Sequence, residues 1–191
     1  MLIPIRSFSN SKTRLAKVLD PSHRSDFIME CASNVLAAAG ELPTVIITAD
    51  PLVRAFAIAK GAFVLEDQGI GLNPAVRQAF DLLRDHGVCH VTVAHGDLPL
   101  AQDLTTVFRQ DEFTIVPDRQ HDGTNVMSLP TRDQFEFSYG PMSFEKHLHA
   151  AEQIKLKITV IEEHQLSFDI DTPEDYEELL RNSQSGFPGS N

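Results

Sequence analysis

Short apolar runs alternate with amphipathic stretches along the chain, and that rhythm predicts most of its elements. Leu2–Ile5 reads as a first strand, and Thr44–Thr48, "TVIIT", as a buried β-branched one. Between them, Ser22–Ala39 carries Phe27, Cys31, Val35 and Ala39 at helical spacing, which puts them on one face of a helix. Pro51–Lys60 reads as a short helix stopped by Gly61, and Phe63–Leu65 as another strand. Asn73–His86 holds Val76, Phe80 and Leu83 and is followed by Gly87, the pattern of a helix with its C-terminal stop. His90–Ala94 reads as a strand, Ala101–Arg109 as a helix and "FTIVP" as a strand. Such alternation predicts an α/β fold with a largely parallel sheet.

After Pro117 the rhythm changes. "DRQHDGTN" is a polar loop, "VMSL" a short strand, and "YGPMS" a turn that opens a helix over Ser143–Gln153. Ile158–Ile161 and Ser167–Ile170 read as strands, and Thr172–Arg181 as a closing helix. No internal repeat and no Gly/Pro/Ser-rich linker divides the chain. The expectation is one domain over residues 1–181 and a disordered tail over 182–191.

Composition narrows the chemistry. The 191 residues carry a formal net charge of −11, a poor match for nucleic-acid backbones or anionic membranes. Bound phosphates would need local cations or a metal ion. The N-terminus lacks the pattern of a secretory signal, and no apolar run reaches the roughly 20 residues of a membrane span. Cys31 and Cys89 read as core thiols in a reducing cytoplasm.

Acidic residues stand where apolar strands end. In "HVTVAHGDLPL", Asp97 follows a strand and Pro99 stops it from continuing, at the carboxyl edge where open α/β sheets bind ligands. Capping of the next turn is the plain structural alternative for Asp97. "SFDIDTPEDYEELL" ends another run with Asp169 and Asp171, two apart and so on one face if extended. Adjacent acids repel unless a cation lies between them, and hard oxygen ligands suit Mg²⁺. Thr172, Pro173 and Asp175 form a helix start. "IPIRSFSNSKTRLA" places Arg6, Lys12 and Arg14 after the first strand, cations suited to phosphate oxygens. "HDGTN" and "SYGPMSF" bring Thr124, Gly140 and Ser143, with a helix N-terminus that favours an anion; routine capping by Ser143 is the alternative. No P-loop is present, and "GIGLNP" breaks the dinucleotide fingerprint at Pro74. The eight histidines show no ligand spacing; His95, beside Asp97, could help position substrate, with an incidental placement as the plainer reading.

In this order the segments resemble the 2-phospho-L-lactate guanylyltransferase family, within the MobA-like nucleotidyltransferases. It includes the phosphoenolpyruvate and 3-phosphoglycerate guanylyltransferases of deazaflavin coenzyme F420 biosynthesis. The likeness spans Ile3 to about Leu180 and rests on "IPIRSFSNSKTRLA", "GLNPAV", "GDLPL", "PDRQHDGTNVMSL", "FSYGPMSFEKHL" and "FDIDTPEDYEEL". Arg6, His95-Gly96 and His121-Asp122 depart from the family pattern.

The resemblance implies a three-layer α/β/α, Rossmann-like nucleotide-diphospho-sugar transferase fold. It implies transfer of GMP from GTP to a small phosphorylated carboxylic acid, with release of pyrophosphate. Asp97, Asp169 and Asp171 would hold Mg²⁺. Arg6, Lys12, Arg14, Gly71, Leu72 and Asn73 would bind GTP, with Lys12, Arg14 and Asp97 catalytic. Thr124, Gly140 and Ser143 would bind the acceptor. A cytoplasmic enzyme follows, without nucleic-acid or membrane partners and compatible with a homodimer. The alternatives are another nucleotidyltransferase of this fold, acting on a molybdopterin or sugar phosphate, and a non-catalytic nucleotide-binding regulator.

Overall fold

The computed structural model describes residues 1–9 and 11–184. Among the described residues, seven strands form one sheet: β1 (Leu2–Pro4), β2 (Val45–Thr48), β3 (Phe63–Glu66), β4 (His90–Ala94), β5 (Glu112–Pro117), β6 (Thr124–Pro130) and β7 (Lys157–Val160). Their order is β3-β2-β1-β4-β6-β5-β7. β3, β2, β1 and β4 run parallel, in the register Leu2↔Val45↔Phe63, with Leu2 also opposite Val93. β6 runs antiparallel to both neighbours, Met127 facing Val93 and Ile115, and β7 returns parallel to β5.

The described residues also form six α-helices: α1 (Pro21–Ala38), α2 (Pro51–Ala59), α3 (Leu72–Asp85), α4 (Ser143–Gln153), the single turn α5 (His164–Ser167) and α6 (Pro173–Gln184). Alternation along the strands divides the core between two faces. Ile3 and Ile46 pack with Ile28, Val35, Val53 and Ala57 of α1 and α2. Their neighbours Leu2 and Ile47 pack with Val76 and Phe80 of α3, and Ala151 of α4 belongs to that same cluster. Helices on both faces of a mostly parallel sheet make the three-layer α/β/α fold. Asp20 and Asp50 cap α1 and α2, each followed by proline at the first helical position.

Several expectations are corrected. Ala101–Arg109 forms no helix; a single 3₁₀ turn covers Thr105–Val107. Leu98, Ala101, Leu104 and Val107 are buried, a spacing that imitates a helix. The segment lies along α1 instead: Asn34 donates to the Pro99 carbonyl at 3.0 Å and Leu104 N–H to the Ala38 carbonyl at 2.9 Å. Ser167–Ile170 adds no strand, because β7 already holds the edge of β5. Phe168 and Ile170 anchor instead in a small cluster with Leu15. Cys31 is buried as expected, whereas Cys89 is exposed. α6 continues through Asn182 to Gln184, past the boundary at 181; residues 185–191 of the expected tail lie outside the described residues. Among the described residues no helix is long and apolar enough to cross a membrane.

Candidate active site

A cleft of about 480 Å³ opens at the carboxyl ends of β3, β1 and β4. That position follows from the parallel half of the sheet, whose strands all point their ends to one edge. Its walls come from the segment after β1 (Ile5, Arg6, Ser7, Ser11, Lys12), from Asp67 after β3, from Gly71, Leu72 and Ala75 at the start of α3, and from His95, Gly96 and Asp97 after β4. Gly96 is required by packing, since a Cβ there would lie 2.9 Å from Ile5 Cγ1.

Lys12 is the hub. Its ammonium pairs with Asp97 and, at 2.5 Å, with Asp171, joining the loop after β1 to two acids remote in sequence. Lys12 adopts left-handed backbone dihedrals, φ 52° and ψ 43°, a conformation that costs a non-glycine residue roughly 1–2 kcal/mol. The ion pairs hold it there. Burial works against the charge on Lys12, but the carboxylates of Asp97 and Asp171 outweigh it and raise the lysine above its usual range. Burial likewise opposes ionisation of Asp97, and the Lys12 charge reverses the balance and lowers that carboxyl. Asp169 goes the other way: burial, then the charges of Asp97 and Asp171, push it up to about 6. Phe168 and Ile170 turn into the small apolar cluster, while Asp169 and Asp171 turn the other way towards Asp97 and Lys12, which brings the acids together without a strand.

Arg119 secures this acidic segment. It pairs with Asp175 and, at 2.8 Å, with Glu178, and its guanidinium lies 4.2 Å from the centroid of the Phe168 ring. Thr172 and Asp175 close a reciprocal cap at the start of α6, with Thr172 N–H donating to Asp175 at 2.8 Å.

The acids fit a hard divalent cation of one kind. Asp97 Oδ1 is buried and has no hydrogen-bond partner among the described residues, so one carboxylate oxygen is left for a ligand. No group of three or more His, Cys, Asp and Glu among the described residues could hold a metal ion by itself. Such a donor set suits an ion shared with substrate phosphates rather than one caged by protein.

The anticipated residues divide into two groups. Arg6, Lys12, Gly71, Leu72 and Asp97 line the cleft, and Asp169 and Asp171 adjoin it through Lys12 and Asp97. The others are elsewhere. Arg14 is exposed on the 3₁₀ turn Thr13–Lys17, off the cleft wall. Asn73 clamps the Tyr139 backbone, accepting from its N–H at 2.7 Å and donating to its carbonyl at 3.2 Å. Thr124 and Ser143 are buried, with hydroxyls 3.4 Å apart. Gly140 has φ +120° and gives its carbonyl to Ser143 N–H. The N-terminus of α4 is already served by a carboxylate of the chain: Asp122 accepts from Met142 N–H at 3.0 Å. Ser143 is not the cap; Met142 occupies that position in a left-handed conformation.

His147 was not foreseen. Fully buried, it accepts from Ser138 N–H at 2.9 Å through Nε2, which fixes its neutral proton on Nδ1, and Nδ1 donates to Thr124 Oγ1 at 2.9 Å. Burial lowers its pKa to about 4. Its position four residues after Ser143, on the same helical face, was the available signal. His95 also gains a place: its ring lies 5.3 Å from that of Tyr139, tilted by 38°, and its Nε2 is buried without a partner among the described residues.

The chain matches the family model for CofC-like guanylyl transferases over residues 1–186. It is 31% identical to a phosphoenolpyruvate guanylyltransferase of Sphaerobacter thermophilus, over 97% of this chain and 94% of that protein. It is 29% identical to a 2-phospho-L-lactate guanylyltransferase of Methanocaldococcus jannaschii, over 94% of this chain and 81% of that protein. Among solved structures, a nucleotidyl transferase of Methanothermobacter superposes with a TM-score of 0.66 at 14% identity, covering 97% and 98% of the two chains, a likeness of fold alone. With a family match that runs over residues 1–186, the chain belongs to the CofC-like guanylyl transferase family.

Proposed function

We propose that the protein joins GMP from GTP to a small phosphorylated carboxylic acid and releases pyrophosphate, a step of deazaflavin coenzyme F420 biosynthesis. The acceptor class is phosphoenolpyruvate, 2-phospho-L-lactate or 3-phosphoglycerate. The observation that carries this reading is Lys12 held between Asp97 and Asp171, with Asp169 beside them, at the mouth of the parallel strands.

A phosphate oxygen of the acceptor attacks the α-phosphorus of GTP. The bond from that phosphorus to the bridging oxygen of the β-phosphate breaks, and pyrophosphate leaves with the electron pair. The acceptor is already anionic, so no base is required. The barrier lies in bringing anions together, and catalysis is positioning with charge neutralisation. Asp97 and Asp169 would share Mg²⁺ with the substrate phosphates while Asp171 stays paired with Lys12, and the ion would supply neutralisation of phosphate charge when bound. Lys12 presents a preorganised ammonium to the triphosphate. A pyrophosphate-release screen crossing the four nucleoside triphosphates with the three acceptors, with and without Mg²⁺, tests the proposal. Release with GTP and one acceptor, dependent on Mg²⁺, is the expected outcome; no release in any combination refutes it.

A further inference from the structure

A triphosphate brings several negative charges, and the cleft wall answers with few free cations. Arg14 stands off the wall, and Lys12 shares its charge with Asp97 and Asp171. Arg6 is exposed on the wall. A further cation lies at the start of α1. Arg24 is 8% exposed, and no other lysine or arginine among the described residues is buried as deeply. Its Nε is buried without a partner, and its guanidinium has neither an ion pair nor a hydrogen bond among the described residues.

Buried charges are ordinarily paired, and an unpaired one persists where a ligand completes it. α1 leads from β1 to the parallel strand β2, so it runs back against the strands and its first turns stand at their carboxyl ends. Arg24, Ile28 and Cys31 share one face of it at helical spacing. Ile28 lines the cleft. The Cys31 thiol is pushed up by burial and then by the charge of Asp97, with Lys12 opposing, so this face looks onto the acids. Arg24 stands one turn farther out than Ile28, about 6 Å along the axis. The segment after β1 runs beside it and ends in the 3₁₀ turn Thr13–Lys17, which packs on α1. The N-terminus of α1 is not itself the site, because Asp20 already accepts from the N–H groups of Ser22 and His23.

Resting on the reading of this cleft as the nucleoside triphosphate site, we propose that Arg24 binds the β- and γ-phosphates, the part of GTP that leaves as pyrophosphate. The α-phosphorus has to lie by Asp97 and Asp169, where the acceptor meets it. In-line attack sets acceptor and leaving group on opposite sides of that phosphorus, so a cation displaced outward from the acids serves the departing end. A planar guanidinium holds two phosphate oxygens at once and neutralises charge that grows on the bridging oxygen. No carboxylate competes for it among the described residues, so its whole charge acts on the ligand.

The test is a binding titration at constant ionic strength and without acceptor, using GTP, GMP and inorganic tripolyphosphate. Wild type is expected to bind GTP more tightly than GMP and to bind tripolyphosphate; failure to bind tripolyphosphate overturns the assignment. Arg24→Gln removes the charge and keeps most of the stem. It should weaken GTP and tripolyphosphate by about ten- to a hundredfold, the loss of a charge-assisted contact, and leave GMP unchanged. Arg24→Lys keeps the charge without the fork and should fall between wild type and Arg24→Gln; it also serves if Arg24→Gln does not fold. A folded variant in which GTP and GMP weaken equally, as a merely structural arginine would give, or in which neither weakens, overturns the assignment. Pyrophosphate release is then followed in the same proteins. Tripolyphosphate binding lost in Arg24→Gln, with no turnover by wild type on any acceptor, would count against the proposed reaction and leave Arg24 as the phosphate site. Equal turnover by wild type and Arg24→Gln at subsaturating GTP would overturn the role of Arg24 and leave the reaction standing.

Discussion

The loops at the two halves of the sheet treat their polar groups in opposite ways, although on β5 itself Thr114 Oγ1 is also buried without a partner among the described residues. In the parallel half, β3-β2-β1-β4, polar groups at the strand ends are left incomplete: Asp97 Oδ1 and His95 Nε2 are buried without partners among the described residues. In the antiparallel half, the loop before β6 and the segment before α4 satisfy one another. Asp118 accepts from the N–H groups of Gln120, Asp122 and Gly123, and a Cβ on Gly123 would lie 2.7 Å from its Oδ2. Asp122 reaches across to Met142, and His147 joins Ser138 to Thr124. Unsatisfied buried groups are costly and persist where a ligand completes them, whereas satisfied networks fix geometry. The difference separates a half that handles charge from a half that holds a wall in place.

The sharpest way to break that division is Asp97→Asn. The change is nearly isosteric and removes the charge but not the volume. Turnover should fall about a thousandfold, the order lost when one group stabilising charge is removed from an active site. A folded variant turning over within a few-fold of wild type across a Mg²⁺ titration would take Asp97 out of the chemistry.

Next in size is a contrast within one segment. Lys12→Ala should reduce kcat/KM for GTP by about ten- to a hundredfold, the equivalent of a charged hydrogen bond of about 1.5–3 kcal/mol. Arg14→Ala should change it less than about threefold, because Arg14 lies off the cleft wall, in line with ordinary surface substitutions. Equal defects would show that both cations reach the triphosphate. A defect confined to acceptor KM would detach the segment from GTP.

In the satisfied loops around β6 and α4, effects should appear in stability. His147 is neutral when folded, with its pKa lowered by burial to about 4 from the ordinary 6.5. A lowered base means the unfolded chain binds the proton first, so stability present above pH 6.5 is lost as pH falls towards 4. Denaturant unfolding across that window should show a loss on the order of 2–3 kcal/mol from this group. His147→Gln should flatten that part of the profile, and an unchanged slope would show that other groups dominate it.

The smallest expected effect is on a cap. Asp122→Ala should lower stability by about 1 kcal/mol, as for other lost helix caps, with GTP binding unchanged. Weakened GTP binding in that variant would show that the two halves are coupled.

Local patterning made much of the fold legible. The β-branched runs, the aspartate–proline helix starts and the spacing of Val76 and Phe80 report local preferences that tertiary packing then used. Where the reading failed, the burial period misled. Leu98, Ala101, Leu104 and Val107 face the core at helical intervals because α1 lies beside them, not because they form a helix. The site was legible to the extent that chemistry marked it, as acids ending apolar runs and cations after the first strand. Arg14, Asn73, Thr124, Gly140 and Ser143 shared those motifs yet stand off the cleft wall.

By itself the sequence determined the alternation of elements, the strand-end carboxylates and the motifs of the family. Only the tertiary structure decided which groups meet: Lys12 with Asp171, 159 positions away, Asn73 with Tyr139, and His147 with Thr124. Local propensity acts over a few residues, whereas these pairings depend on strand order and on which neighbour leaves a polar atom unsatisfied. That is a property of the packed chain, and no spacing encodes it.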